Sequence, residues 1–375
     1  MKPFCSLLLF VLALHLGLAQ TAEIATNSQP SEREQSGLHG PVKLCVEENT
    51  MPGTLDADGE RSREWRTWSQ TEYDVEGRVL ARLNRNPDGS EWETRYTYNA
   101  AGKLLKTAAS NQGEPAGVTI YNYDAQGRDK SIVYSTAPDN PVTFRYDEQG
   151  RKTKVQVSRA EDYRPNVGTA ADSPFLSADL PPNLQGGGTA LTTYDEHDRP
   201  TEVQVRDAQG AVMSRTVRTY DKQGNIAEEK QIWDDPLNVL PPEARASVLE
   251  TGGVTADEFR AQLTNLIGGH SGPVSIANTY DTQGRVQQTV RRVFNEEATI
   301  TKTYNSQGDV ISEVTRSKKI GSQSEQGPLT PETEARYRYE YDDHGNWTEK
   351  ITSQSLAPGG AFEITSKTQR TLTYF

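Results

Sequence analysis

Cysteine, histidine and long apolar runs are scarce in this 375-residue chain. There are two cysteines and five histidines. After the apolar run from Phe4 to Leu18, no stretch approaches the ~18 residues that a membrane-spanning helix needs. Cys5 lies inside that run, so its removal would leave Cys45 alone and exclude an intramolecular disulfide. The sequence therefore predicts a mature chain held together by burial and hydrogen bonding, without stable membrane insertion.

The first 19 residues have the features of a secretory signal peptide. Lys2 supplies a positive charge, Phe4 to Leu18 forms the apolar region, and Gly17-Leu18-Ala19 is a small-residue cleavage site. We expect cleavage after Ala19, and hence a protein that is secreted, periplasmic or exposed at the cell surface. Residues 20–40 are polar and predict a flexible N-terminal segment, followed by one β-repeat domain over residues 41–375.

The charge balance limits the partners. Acidic and basic residues number 52 and 40, and the net charge of -12 becomes -13 when Lys2 leaves with the signal peptide. An acidic chain argues against nucleic acid and anionic membrane surfaces as partners. Apolar residues are 34% of the chain, or about 42% with the 30 glycines, slightly below a typical globular domain. This composition favours a thin sheet with one wet face over a thick enzyme core.

Cys45 lies in a short alternating run. Alternation predicts a strand in which Val42, Leu44 and Val46 form the apolar face and Cys45 lies on the other. An inert structural cysteine is the expected outcome. A reactive or intermolecularly paired thiol is the alternative.

A short phrase recurs along the chain: Tyr-Asp, two variable residues, Gly, and usually a basic residue. Four copies carry the phrase in full and five are looser. The copies begin at Tyr73, Tyr98, Tyr123, Tyr146, Tyr194, Tyr220, Tyr280, Tyr304 and Tyr341. Uninterrupted copies lie 23 to 26 residues apart. Such a period predicts a repeat architecture, and it indicates that the repeated Asp, Tyr and Arg residues are structural.

Each unit predicts two antiparallel strands. Apolar residues alternate after Gly77, Asn86-Pro87-Asp88-Gly89 is a turn signal, and aromatic residues alternate again up to Tyr98. Valines two and six positions after a motif glycine, such as Val286 and Val290, are expected to share a face of the sheet.

The phrase itself predicts a hairpin turn. Asp or Asn at the first turn position accepts backbone hydrogen bonds, and Gly at the fourth takes positive φ in a loop with a G1 bulge. The preceding Tyr is expected at the strand end, with its ring against the neighbouring unit and its hydroxyl near solvent. Asp198 replaces one glycine and tolerates that conformation. The predicted turn residues are Tyr73, Asp74, Gly77, Tyr98, Asn99, Gly102, Tyr123, Asp124, Gly127, Tyr146, Asp147, Gly150, Tyr194, Asp195, Tyr220, Asp221, Gly224, Tyr280, Asp281, Gly284, Tyr304, Asn305, Gly308, Tyr341, Asp342 and Gly345.

Two insertions interrupt the repeat. Residues 160–188 are rich in Pro and Gly and predict an exposed or disordered loop. Residues 237–272 predict a helical pair. Its first helix runs from Pro241 to Leu249, and its second begins at the capping box Thr255-Ala256-Asp257-Glu258. The second helix carries an apolar stripe of Phe259, Leu263, Leu266 and Ile267. We expect the pair to cap the sheet, and the alternative is a partner-binding helix.

The phrase, its period and its turn chemistry resemble the YD repeat, or RHS repeat, of bacterial secreted and cell-surface proteins. The resemblance covers roughly Tyr73 to the C-terminus, with gaps. It implies an all-β fold, a curled strip of antiparallel hairpins, here with a small inserted helical pair. The largest members form a hollow shell, but nine copies are far fewer than such a shell needs, so the encapsulating function is not carried over. Choline- and glucan-binding repeats are a competing resemblance, but their Trp doublets are missing here.

Catalytic and metal-binding signals are weak. The mature histidines His39, His197, His270 and His344 have no partner at zinc-ligand spacing. Ser271 lies in Gly269-His270-Ser271-Gly272, whose glycines are too close for a nucleophile elbow. Acidic pairs such as Asp234-Asp235 and Asp342-Asp343 are interpreted as solvated or turn-forming residues. Adjacent turn aspartates supply too few oxygens for Ca²⁺. The sequence therefore predicts no cofactor, no metal and no catalytic residue.

The sequence favours an exported, non-enzymatic β-repeat protein with a structural or binding role. The ligand class implied by the resemblance is a glycan or a cell-surface protein. Two alternatives stay open: a carbohydrate-active hydrolase with two carboxylates in a deep pocket, and a shortened accessory relative of an RHS-type toxin system.

Overall fold

A computed structural model describes nine stretches of the chain. They are residues 30–53, 64–158, 187–239, 249–250, 252–267, 274–293, 296–320, 332–357 and 359–375. The predicted signal peptide, nearly all of the predicted loop 160–188, and the predicted helix from Pro241 to Leu249 except Leu249 itself lie outside these residues. Among the described residues, no helix is both long and apolar enough to cross a membrane.

Twenty β-strands make up almost all of the described chain, which confirms the all-β prediction. The strands are β1 Val42–Met51, β2 Trp65–Tyr73, β3 Val79–Arg85, β4 Glu91–Tyr98, β5 Leu104–Asn111, β6 Glu114–Tyr123, β7 Asp129–Tyr134, β8 Ala137–Tyr146, β9 Lys152–Val157, β10 Gly188–Tyr194, β11 Pro200–Asp207, β12 Val212–Tyr220, β13 Ile226–Trp233, β14 Val274–Tyr280, β15 Val286–Val293, β16 Glu296–Tyr304, β17 Val310–Lys319, β18 Thr333–Tyr341, β19 Trp347–Ser355 and β20 Glu363–Tyr374. Two α-helices accompany them, α1 Glu32–Gln35 and α2 Ala256–Ile267, with a 3-10 turn at Pro236–Val239.

The sheet closes into a barrel. Every strand pairs antiparallel with the next one along the chain, and β1 pairs with both β2 and β20. Cys45, for example, lies opposite Thr71 on one side and Leu372 on the other. The prediction of an open, curled strip is therefore wrong. A twisted sheet of this many strands curls, and pairing its first and last strands removes the exposed edges that an open strip would leave.

The two ends of the barrel differ. All nine motif turns lie at one end, called here the turn end. The start of β1 and the end of β20 occupy the tenth position, where the backbone N–H of Phe375 donates to the carbonyl of Pro41 at 3.1 Å. The connections at the opposite end, the loop end, vary in length and include both insertions. Differences in loop length between repeat units are therefore confined to the loop end, as expected for loops carried on a rigid scaffold.

The motif turns share one geometry. In each, the glycine position donates its N–H to the carbonyl of the Asp or Asn at 2.9–3.2 Å. The eight motif glycines have φ between 76° and 93°, and Asp198 takes φ 61° at the ninth position. Positive φ at the fourth position is what a type I turn with a G1 bulge requires.

A bulge follows each of these turns and changes which side chains share a face. Tyr280 pairs with Val286, but the preceding Thr279 pairs with Gln288, so one residue of β15 has no partner. Val286 therefore lies on the face of Tyr280, while Val290 lies on the opposite one. The prediction that these two valines share a face is wrong, because the extra residue shifts the two-residue period.

The face that carries the motif tyrosines is the buried one and lines the inside of the barrel, and we call it the inner face. In β4, Thr94 and Tyr96 are buried while Arg95 and Thr97 are exposed. The buried cluster on the inner face comprises Leu38, Val42, Cys45, Tyr73, Val79, Tyr96, Leu104, Tyr121, Ile132, Val142, Phe144, Val155, Val157, Ala190 and Val205. Apart from Leu38, these residues belong to β1–β11, so the core occupies the first half of the barrel.

Cys45 belongs to this core. A register shift between Val42 and Leu44 places Val42 and Cys45 together on the inner face, so the predicted apolar face of Val42, Leu44 and Val46 is wrong. Burial raises the pKa of the Cys45 thiol to about 11. A thiol held protonated at neutral pH is a poor nucleophile.

The outer face is densely charged. Its charged side chains, taken by alternation from the inner-face residues, include Glu48, Glu72, Arg85, Arg95, Lys106, Arg145, Lys154, Arg206, Arg215, Lys230, Arg292, Glu297, Lys318, Arg338 and Lys367. Many are paired across strands. Glu297 accepts from both Arg292 and Lys318 at 2.7 Å. Such pairs favour the observed register over a slipped one.

Residues 30–40 lie within the segment predicted to be flexible, and they pack against the turn end. Ser31 caps α1 through a capping box with Glu34, and Leu38 is 1% exposed. The side chain of Ser31 would lie 2.7 Å from a Cβ at Gly77. Gly77 is thus required both by its positive φ and by the close approach of this segment.

Helix α2 packs at the loop end against the 3-10 turn that follows β13. Its predicted capping box is present, because Thr255 and Glu258 exchange hydrogen bonds at 2.8 and 3.2 Å. Phe259 is buried, and Arg260 pairs with Asp235 at 3.0 Å next to the 3-10 turn. The helix thus lies at the loop end against the 3-10 turn, and capping of the sheet by the helical pair stays a prediction.

Candidate functional site

The repeated Asp, Arg and Tyr side chains form a continuous lattice around the turn end. Asp124 accepts the backbone N–H of Arg128 at 2.8 Å and its guanidinium at 2.8 Å. The same guanidinium lies 4.6 Å from the ring centre of Tyr146, in the next unit. The hydroxyl of Tyr146 then donates to the backbone carbonyl of Asp129 at 3.0 Å. A stacked cation and a phenol hydrogen bond therefore join these two units. The cation recurs over five further motif tyrosines, namely Tyr98, Tyr123, Tyr194, Tyr220 and Tyr304.

The phenol hydrogen bond recurs with one register. Its acceptor is always the carbonyl two residues after a motif glycine or its Asp198 replacement. The pairs are Tyr98 to Val79, Tyr123 to Leu104, Tyr146 to Asp129, Tyr194 to Lys152, Tyr220 to Pro200, Tyr280 to Ile226 and Tyr304 to Val286, at 2.6–3.0 Å. Each of these hydroxyls thus reaches a carbonyl beside the neighbouring bulge in a part-buried position, a contact that the prediction of hydroxyls near solvent did not include.

Titration shifts in this lattice have structural causes. Burial, with the charge of Asp129 nearby, raises the pKa of Tyr123 to about 12. The hydrogen bond from Arg199 lowers the pKa of Asp195 to about 2. Both shifts favour the protonation states that hold neighbouring units together, so these residues have the role of connectors rather than of acids or bases.

The lattice breaks in the last two units. Asp309 and Asn346 replace the basic residue in these units, as Asn225 does in the unit of Tyr220, where the phenol hydrogen bond from Tyr280 is nevertheless kept. Tyr341 therefore donates to the carboxylate of Asp309 at 2.6 Å rather than to a carbonyl. Tyr339, two residues earlier, takes the carbonyl of Val310 at 3.0 Å instead. Tyr339 lies on the inner face by alternation, as Tyr96 and Tyr121 do two residues before their own motif tyrosines.

A cavity of about 360 Å³ opens on the inner face at this break. We call it the Tyr339 pocket. It is lined by Gly308, Asp309, Val310, Glu313, Tyr337, Tyr339, Trp347 and Lys350, from β17, β18 and β19 and the turn before β17. Its size lies in the range of small-molecule sites.

Aromatic rings form one wall of the Tyr339 pocket. The ring of Tyr339 lies 6.0 Å from that of Tyr341 and 6.4 Å from that of Trp347. The ammonium of Lys350 lies over two of the rings, 4.8 Å from the centre of Tyr337 and 5.7 Å from that of Tyr339. Burial lowers the pKa of Lys350, and the positive charge of Arg370 adds to this effect. Within the described part of the chain, Lys350 forms no ion pair.

Arg370 packs against Trp347 behind the aromatic wall. Its guanidinium lies 3.5 Å from the ring centre of Trp347, and its Nε pairs with Glu47 at 2.5 Å. Its Nη1 is buried and has no hydrogen-bond acceptor. Arg370 therefore fixes the Trp347 ring and adds positive potential beside Lys350.

The two carboxylates of the pocket already have partners. Asp309 accepts from Tyr341, and Glu313 lies 3.7 Å from Lys302 on the neighbouring strand. Carboxylates can still accept further hydrogen bonds through their remaining lone pairs. The pocket thus offers aromatic faces, one unpaired cation and two acceptors.

The described histidines and acidic residues that were weighed as catalytic or metal-binding candidates lie apart from one another. His344 stacks on Tyr374 at 4.0 Å, and His197 lies exposed in its turn. Asp234 pairs with Arg215. No group of three or more His, Cys, Asp or Glu residues suited to a metal occurs in the part of the chain that the structure describes. His270 and Ser271 lie outside that part.

Sequence reasoning missed the pocket residues Glu313, Tyr337, Tyr339 and Lys350. The available signal was the loss of the basic residue in two successive units, after Gly308 and Gly345, whereas the single loss after Gly224 accompanies an ordinary phenol hydrogen bond. A position that breaks a repeated pattern is where a specific function is to be sought.

Comparisons with known proteins give no family. No family model matches the chain, and no curated protein matches it. Among solved structures, a porin-like protein from Bacteroides uniformis is 8% identical over 89% of this chain and 98% of its own, with a TM-score of 0.33. A porin-like protein from Bacteroides vulgatus is 12% identical over the same shares, with a TM-score of 0.16. At TM-scores this low, neither likeness bears on the fold or the function of this chain.

Proposed function

We propose that the protein is an exported, non-enzymatic binding barrel that takes its ligand at the Tyr339 pocket. The observation that carries the proposal is the break of the turn lattice, which opens a cavity lined by three aromatic rings and an unpaired Lys350. Elsewhere the repeat uses the same residue types to join units. A pocket with a few convergent polar groups on an apolar wall is the usual form of a binding site.

We further propose that the barrel works in water at the cell surface or in the periplasm. The charged outer face supports this. A barrel embedded in a bilayer presents an apolar band about 25 Å tall, and one Arg or Lys at its midplane costs about 2–4 kcal/mol. Fifteen charged residues of the outer face are named above, and they lie on strands all around the barrel. The mature protein is expected in the soluble fraction after osmotic shock or carbonate washing. Retention in washed membranes would contradict this part of the proposal.

The ligand we propose is a glycan, because sugars combine hydroxyl groups with apolar ring faces that stack on aromatic side chains. The mature protein is to be applied to a glycan array and used in a pull-down from cell-surface extracts. Trp347→Ala is expected to abolish binding, and Trp92→Ala, which removes an inner-face tryptophan outside the pocket, is expected to leave it unchanged. A folded protein that binds nothing in either experiment would refute the proposal.

A hydrolase is the second candidate, because Asp309 and Glu313 both line the pocket as a glycosidase pair would. Glu313→Gln separates the two functions. A binding protein keeps its ligand intact with or without this change. A hydrolase would shorten the ligand over time and lose that activity in the variant.

A further inference from the structure

We infer that the Tyr339 pocket selects an acidic saccharide, whose carboxylate is held by Lys350 while its sugar ring lies on the aromatic wall. This inference rests on the proposed binding function and specifies its ligand. It depends on the charges inside the pocket, considered one by one.

The cation of the pocket lacks an anionic partner. Lys350 lies over the faces of Tyr337 and Tyr339 and forms no ion pair among the described residues. The positive charge of Arg370 and the negative charges of Asp309, Glu313 and Glu47 act on it without a direct ion pair. An ammonium taken partly out of water costs free energy unless it is paired. A carboxylate from a ligand would supply that pair.

The acids of the pocket do not take that role. Asp309 is held by Tyr341, and Glu313 is nearest to Lys302. Their free lone pairs instead accept hydrogen bonds, which requires donors on the ligand. A ligand with only an anionic group and an apolar chain has no such donors, whereas a sugar has several hydroxyls.

The aromatic wall completes the match. Tyr339 and Trp347 are fixed by a backbone carbonyl and by Arg370, respectively, so little side-chain entropy is lost when a ring stacks on them. A uronic acid is the class that carries a carboxylate, several hydroxyls and an apolar ring face together.

The test uses two ligands that differ only in charge. Oligogalacturonate and its methyl ester of the same length are to be titrated into the mature protein by calorimetry. We expect the acid to bind at least ~10-fold more tightly than the ester, because only the acid forms a charged hydrogen-bonded pair with Lys350. The preference is expected to fall as salt is raised.

Variants locate the effect. Lys350→Met is expected to remove the preference for the acid, so that acid and ester bind with equal affinity, and Lys350→Arg is expected to retain part of the preference. Arg338→Met, which removes an exposed cation from the outer face of the same sheet, is the matched control. Urea titration of each variant shows whether it remains folded.

The outcomes separate the inference from the proposed function. Equal binding of acid and ester would overturn the acidic class while the binding function stands. Binding of neither, with no hit on the glycan array, would remove both. Competition by acetate as effective as by galacturonate would overturn the saccharide part, because it would identify a simple carboxylate site.

Discussion

The phenol hydrogen bonds between units give the most direct test of how the barrel is held together. Tyr123→Phe removes only the hydroxyl that donates to the Leu104 carbonyl at 2.7 Å. The ring stays and keeps its contact with Lys103, whose ammonium lies 5.2 Å from the ring centre. A hydrogen bond contributes about 0.5–1.5 kcal/mol net, and a buried carbonyl left without a donor costs about 1–3 kcal/mol. Leu104 is 5% exposed, so we expect the free energy of unfolding to fall by about 1–2 kcal/mol.

The assay is urea denaturation of the mature protein followed by circular dichroism. The variant is expected to lower the midpoint without changing the slope, because a change of slope would indicate a different amount of surface exposed on unfolding. Tyr337→Phe is the control. Its hydroxyl has no hydrogen bond within the described chain, so its free energy of unfolding is expected to change by less than about 0.5 kcal/mol. Equal effects of the two variants would refute the reasoning that the hydroxyl joins the units.

Three further outcomes are expected. The pKa of Tyr123 is raised in the folded protein, so its stabilising effect is full below pH ~10 and is lost as the pH rises towards 12. The free energy of unfolding, measured across this window, should fall less steeply in Tyr123→Phe. The pKa of Asp195 is lowered to about 2 by Arg199, so its stabilising effect is present above pH ~4 and is lost as the pH falls towards 2. In Arg199→Met, NMR titration should show that the pKa of Asp195 has risen towards its ordinary value. Asn346 is fully buried and bonds both the N–H and the carbonyl of residue 39, so Asn346→Ala should lower stability by about 2–3 kcal/mol and speed hydrogen exchange over residues 36–42. Asn225→Ala, at the same turn position without those contacts, should do neither.

The turns could be predicted because they depend on local chemistry. An Asp or Asn that accepts from the backbone four residues ahead, and a glycine that takes positive φ, are properties of a six-residue segment. Asn99 and Asp198 show this, since each preserves its turn with a different residue. Helix α2 could be predicted for the same reason, because its capping box and the helical spacing of its apolar residues are both local features of the sequence.

The pocket could not be predicted, because its residues come together only through strand pairing. Tyr339 and Lys350 lie opposite each other in β18 and β19, and Arg370 reaches them from β20. The bulge beside each turn also reverses which residues of a strand face inward, as for Val286 and Val290. A two-residue period read from sequence has no means to detect that reversal.

The sequence by itself determined the repeat, its hairpins, its turn chemistry and the all-β class. Tertiary structure alone decided that β1 meets β20, with Glu47 paired to Arg370 across 323 residues, and that residues 30–40 pack against the turn end. Closure depends on the twist summed over twenty strands, so it belongs to no single unit. The pocket depends on closure in turn, because the charge of Arg370 is balanced by Glu47 only where the first and last strands join.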